Sequence, residues 1–140
     1  MKKRLFAIIM TIVIVFSMLP ATVYAAQSEP IMPMWDNASH LTAEITFISG
    51  NGKASATILG DYSVSNISVN VKLYYKKTSG AWEEIPTNWV YNVNQRMLSI
   101  NESFDATPGR EYKIELTGTV TVNGYAEEIS KTATAICPRS

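Results

Sequence analysis

The chain has 140 residues, with twelve Lys and Arg against twelve Asp and Glu, one His and one Cys. Beyond its first residues the basic side chains are scattered, which excludes the clustered positive footprint of a nucleic-acid-binding protein and the basic amphipathic helix of a membrane-surface protein. A lone histidine beside a lone cysteine excludes the usual zinc and copper ligand sets.

Lys2, Lys3 and Arg4 precede an apolar run from Leu5 to Leu19, broken at Pro20. Val23-Tyr24-Ala25 then places small residues at the −3 and −1 positions of a cleavage site. The pattern predicts a secretory signal peptide over residues 1–25, too short in its apolar run to be a membrane span of about 20 residues. Its removal leaves 115 residues with a formal net charge of −3, enough for one domain with a real core. The expected organisation is signal peptide 1–25, extended leader 26–38 and folded domain 39–140, secreted and free of the membrane after cleavage.

The leader holds two prolines and no usable period, and Met32, Met34 and Trp35 are expected to lay apolar groups on the domain. From Leu41 onward the chain alternates with period two, which puts one apolar and one wet face on each strand. Leu41, Ala43, Ile45 and Phe47 mark a first strand, with a turn at Gly50-Asn51-Gly52. Ala54, Ala56 and Ile58 mark a second, and Ile67, Val69, Val71, Leu73 and Tyr75 a third. Lys77-Thr78-Ser79-Gly80 turns into Ala81–Ile85, where Pro86 implies an edge strand because it cannot donate to a ladder. Trp89–Val93 and the Leu98–Phe104 stretch follow. The clearest strand runs over Tyr112, Ile114, Leu116, Gly118, Val120 and Val122, with charges and threonines on the other parity. Asn123-Gly124 is a two-residue type I′ hairpin signal. On the returning strand Lys131 shares parity with Ile129 and Ala133, which requires either a β-bulge or an edge position open to water. The sum is an antiparallel β-sandwich of about seven to eight strands.

Thr107-Pro108-Gly109-Arg110 reads as a turn with Pro presetting φ and Gly following it. Tyr112, three residues after Gly109, has the spacing of the tyrosine corner of immunoglobulin-like sandwiches, the alternative being an ordinary core tyrosine. Ile67–Ile85 resembles the C–C′ hairpin of fibronectin type III domains, and Phe104–Tyr112 resembles the approach to their F strand. Over Pro33–Cys137 the chain also resembles small, single-domain secreted proteins of Gram-positive bacteria whose function is uncharacterised. Met32-Pro33-Met34-Trp35, Leu73–Lys77 (LYYKK), the NG hairpin followed by Glu127 and Ile129, and the late cysteine carry that likeness. It implies an Ig/fibronectin type III-like sandwich and an extracellular setting, and it carries over no catalytic residue. Members of that group often have a second cysteine on the second strand, where this chain has Ala54. Cys137 is then either a buried thiol, packed against Ala54, or the link of a disulfide dimer of an otherwise monomeric protein.

No catalytic constellation emerges. His40 stands alone in a polar stretch, and no nucleophile motif accompanies it. Glu83-Glu84 and Glu127-Glu128 point to opposite faces of their strands, so neither pair converges on one atom. Asp36, Asp61 and Asp105 sit at loops without a calcium-loop motif. Asn37, Asn66 and Asn101 begin N-x-Ser sequons that match by chance in a bacterial-type setting. No cofactor or metal is expected. The function expected is that of a non-enzymatic binding or structural protein whose partner is an extracellular protein or polysaccharide. The alternative is a carbohydrate- or cell-wall-binding module that stacks sugar rings on Trp82, Trp89, Tyr91 and Tyr74. Against that platform stands the ordinary fate of tryptophan, which is to fill a core.

Overall fold

The computed structural model describes residues 35–139. The expected signal peptide and most of the leader, including Met32 and Met34, lie outside the described residues. Eight strands follow in chain order: β1 (Ala38–Ile48), β2 (Asn51–Gly60), β3 (Val64–Lys76), β4 (Trp82–Ile85), β5 (Val90–Val93), β6 (Met97–Asp105), β7 (Glu111–Val122) and β8 (Tyr125–Ile136). They form two antiparallel sheets, one in the order β1-β2-β6 and one in the order β4-β3-β7-β8, with β5 pairing β3 beyond β4. The fold is all-β and sandwich-like, because the apolar parities of both sheets meet in one core. Ile58, Ile67, Leu73, Ile114, Leu116 and Val120 are among its fully buried residues.

The turns follow from residues that accept positive φ. Asn123 and Gly124 take φ of 49° and 81°, as the type I′ hairpin requires. Gly109 takes φ of 79°, and Arg110 N–H donates to Thr107 C=O at 3.1 Å, closing a type II turn with Pro108 in its first central position. The β1–β2 turn departs from expectation. Ser49 and Gly50 take the positive φ values, at 49° and 82°, while Asn51 and Gly52 already pair in β2. Core geometry decides this: a side chain on Gly52 would collide with the Phe104 ring, so Gly52 must face inward with Ala54 and Ala56.

Pro86 does interrupt an edge. β4 pairs the C-terminal half of β3 and β5 its N-terminal half. Between them Val71 N–H donates to Trp89 C=O at 2.9 Å and Thr87 Oγ1 donates to Val71 C=O at 3.3 Å, so the gap stays stitched. β8 is the opposite edge, and its pairing with β7 runs without a register break. Lys131 therefore sits on the inner parity at an open edge, with no bulge to re-aim it.

The corner at Tyr112 is formed. Its ring is buried, and its phenol oxygen accepts the Thr107 N–H at 2.8 Å. Phe47 and Phe104 pack on it with ring centroids 5.9 and 5.2 Å away, a favourable aromatic spacing. Cys137 is a buried free thiol, beside a 440 Å³ cavity lined by Phe47, Pro108 and Pro138.

Candidate functional site

The two sheets present two ends. At one lie the β1–β2, β3–β4 and β6–β7 turns and the tail after β8. At the other lie Asp36 and Asn37, the β2–β3 and β5–β6 turns and the β7–β8 hairpin. The four aromatic candidates divide between the faces of the five-stranded sheet. Tyr74 pairs with Glu84 and Lys113, and Trp82 pairs with Lys76, so both lie on the outer face with those charges. Trp89 and Tyr91 lie on the inner parity and pack against the core.

Tyr91 reaches from β5 across to β6, where its hydroxyl donates to Glu102 at 2.5 Å. Burial first, and the bond to a carboxylate second, push its phenol up to about 12. This contact joins the rims of the two sheets. Trp89 and Tyr91 keep the odd-numbered inner parity of Ile85 across Pro86, so the pairing with β3 turns both inward.

On the outer face the rings are already engaged. The Lys113 ammonium lies 4.5 Å from the Tyr74 ring centroid and 5.0 Å from that of Trp82, and it bonds Glu115 at 2.5 Å. Lys76 lies 5.4 Å from the Trp82 ring. Both cations gain from the negative face of the indole. Lys72–Glu84 and Lys76–Glu111 continue the pattern of paired charge, and Lys77–Glu83 repeats it on the other parity, opposite Tyr75. The Lys113 hydrogen bond holds Glu115 below the usual carboxylate value, and the Lys77 hydrogen bond does the same for Glu83. Tyr74, by contrast, is raised, first by burial and then by its bond with Glu115.

Above this face, at the turn end, an open groove of about 890 Å³ runs between the β3–β4 turn and the β6–β7 turn. Tyr75 forms its inner wall, with the Arg110 guanidinium carbon 4.7 Å from the ring centroid. Arg139 lies against Gly109: a Cβ placed there would come within 2.7 Å of Arg139 Nε. Two backbone bonds hold this arrangement, Gly109 N–H to Cys137 C=O at 2.8 Å and Cys137 N–H to Arg110 C=O at 2.9 Å. The short tail is thus zipped onto the turn.

At the far end a different device appears. The Glu127 carboxylate accepts the N–H groups of Asp36 and Asn37, both at 2.7 Å. Buried Asn37 donates through Nδ2 to Val120 C=O at 3.0 Å and Tyr125 C=O at 3.3 Å. Trp35 packs against the core beside them. Asn37 is thus a structural tie, and its burial rules it out as a glycan acceptor in the folded chain. His40 is exposed on β1. Among the described residues no group of three or more His, Cys, Asp or Glu is arranged to hold a metal ion.

No protein-family model and no curated protein matches the chain. Among solved structures the chain is similar to the solution structure of R. palustris CsgH, at 12% identity and a TM-score of 0.41, over 65% of this chain and 88% of that one. At that similarity nothing is carried from that protein to this chain.

Proposed function

We propose that the chain is a non-enzymatic, exported binding module of the Ig/fibronectin type III-like class, monomeric, whose partner is an extracellular protein or polysaccharide. The fold assignment is supported by β1-β2-β6 opposing β4-β3-β7-β8 and by the Tyr112–Thr107 corner. Export is supported by Lys2–Arg4, the apolar run after them and Val23-Tyr24-Ala25. A disulfide dimer through Cys137 would first have to open the zipped tail that buries the thiol.

The observation that carries the non-enzymatic reading is how the carboxylates are used. Glu83, Glu84, Glu111 and Glu115 each meet a lysine, Glu102 holds Tyr91, and Glu127 caps the start of β1. Acids so engaged serve the fold and the surface; a general acid or base must instead face a reacting atom. The contact region is the outer face and turn end of the five-stranded sheet, where Trp82, Tyr74 and the groove adjoin. Because Lys113 and Lys76 already cover the rings, binding there is expected to depend on charge as well as on stacking. The test is co-sedimentation of the purified chain with insoluble polysaccharides and bacterial cell walls. Sedimentation lost in a folded Trp82→Ala variant supports this surface. Turnover of a peptide, ester or glycoside substrate would overturn the non-enzymatic reading.

A further inference from the structure

Residues 35–139 carry nine Lys and Arg against eleven Asp and Glu, so the domain as a whole is mildly acidic. Four of those nine cations, Lys76, Lys77, Arg110 and Arg139, nevertheless line the 890 Å³ groove at the turn end, with Glu111 as its single carboxylate. Glu111 is taken by Lys76 at 2.7 Å, and nearby Glu83 is taken by Lys77. Asp105, at the end of β6, does not line the groove. Neither guanidinium pairs with a carboxylate among the described residues. One is held over Tyr75 and the other against Gly109.

From this we propose that the groove binds a polysaccharide carrying carboxylate or phosphate groups, with Arg110 and Arg139 as its anion contacts. The proposal rests on the binding-module function and names its ligand class. Guanidinium forks match carboxylate and phosphate oxygens, and such charge-assisted bonds are about twice as strong as neutral ones. Holding Arg110 on an aromatic ring lowers the ordering cost of using it. Several separated cations on an open groove suit a chain that repeats its charge better than one small ion. Thr78, Ser79 and Thr107 add hydroxyls, and Tyr75 and Ile136 add apolar surface, along the same groove. That mixture suits sugar rings between the charged groups.

The experiment measures binding of the purified chain to polygalacturonate, to poly(glycerol phosphate) and to neutral dextran. The expected result is binding to one or both polyanions and none to dextran, weakening as salt rises from about 50 to about 500 mM. Arg110→Gln and Arg139→Gln should each weaken binding roughly tenfold, the loss expected for one charge-assisted contact. Arg96→Gln, at the opposite end, should change nothing. Preference between the two polyanions identifies carboxylate or phosphate as the group recognised. No binding to either polyanion at low salt overturns the proposal, and so does equal loss in Arg96→Gln. Cell-wall binding that needs Trp82 and ignores both arginine changes would also overturn it while leaving the binding-module function standing.

Discussion

At both ends of the sandwich an arginine lies over a tyrosine ring: Arg96 over Tyr62 at 4.2 Å at one, Arg110 over Tyr75 at 4.7 Å at the other. The surroundings then diverge. Around Arg96 the neighbouring end gathers Asp36, Asp61 and Glu127, and the Glu127 carboxylate is spent on backbone amides that start β1. Around Arg110 three further cations share a groove whose lone carboxylate is already paired. One end ties the start of β1 to the β7–β8 hairpin through a carboxylate; the other carries two guanidiniums that meet no carboxylate among the described residues. Similar side chains acquire different tasks because backbone donors at one end take a carboxylate as acceptor, whereas at the other they find carbonyls and the Tyr112 phenol.

Breaking the middle that both ends share should have the largest effect. A Cβ on Gly118 would lie 2.2 Å from the Ser68 carbonyl oxygen and 2.7 Å from Val69 Cα, both backbone atoms that cannot rotate aside. Gly118→Ala should therefore cost about 3 kcal/mol, read as a lowered urea midpoint. At the closing end, Asn37→Ala leaves two carbonyls without their donor, and Glu127→Ala leaves two amides without their acceptor. Each should cost about 2 kcal/mol and lower the melting temperature by several degrees. At the groove end Tyr112→Phe frees only the Thr107 amide, at the cost of about 1 kcal/mol. Arg110→Gln and Arg139→Gln should leave stability within about 0.5 kcal/mol, as expected for exposed surface positions. Were they instead as costly as Asn37→Ala, the two ends would be alike and the comparison would fail.

The smallest effect concerns pH. Glu83 and Glu115 are held below the ordinary carboxylate value by Lys77 and Lys113. Their contribution is present above the unfolded-state value and is lost as pH falls through the lowered folded-state values, so it fades below about pH 4.5. Lys77–Glu83 is exposed and Lys113–Glu115 is partly buried, with water still reaching both carboxylates, so acid titration of stability should show only a slight loss, flattened in the Glu83→Gln/Glu115→Gln double variant.

Local order was the legible part. Alternation placed the inner faces of β1, β2, β3 and β7, and Asn123-Gly124 and Pro108-Gly109 announced their turns. The Tyr112 spacing announced a bond confirmed at 2.8 Å. What could not be read were meetings between distant segments. Asn37 looked like leader because its partners, Val120, Tyr125 and Glu127, lie 83 to 90 residues away. The four proposed ring contacts could not be sorted because only the pairing with β3 shows that the odd parity, which holds Trp89 and Tyr91, faces the core while Trp82 and Tyr74 face out. The groove draws on residues 75–79, 107–111, 136 and 139, which only the strand order brings together. The sequence pattern sets the β1–β2 turn at Gly50-Asn51-Gly52 and the structure sets it at Ser49-Gly50, because the space under Phe104 is invisible until the sheets are packed.

The most direct test of the division between the ends is an amide proton–nitrogen correlation spectrum recorded while short polygalacturonate and glycerol phosphate oligomers are added. The structure predicts shifts confined to residues 75–79, 107–111 and 136–139, with the amides of Asn37, Arg96 and Asn123 unmoved. Shifts centred on the hairpin end, or none with either oligomer, would contradict the assignment of the groove end as the binding end.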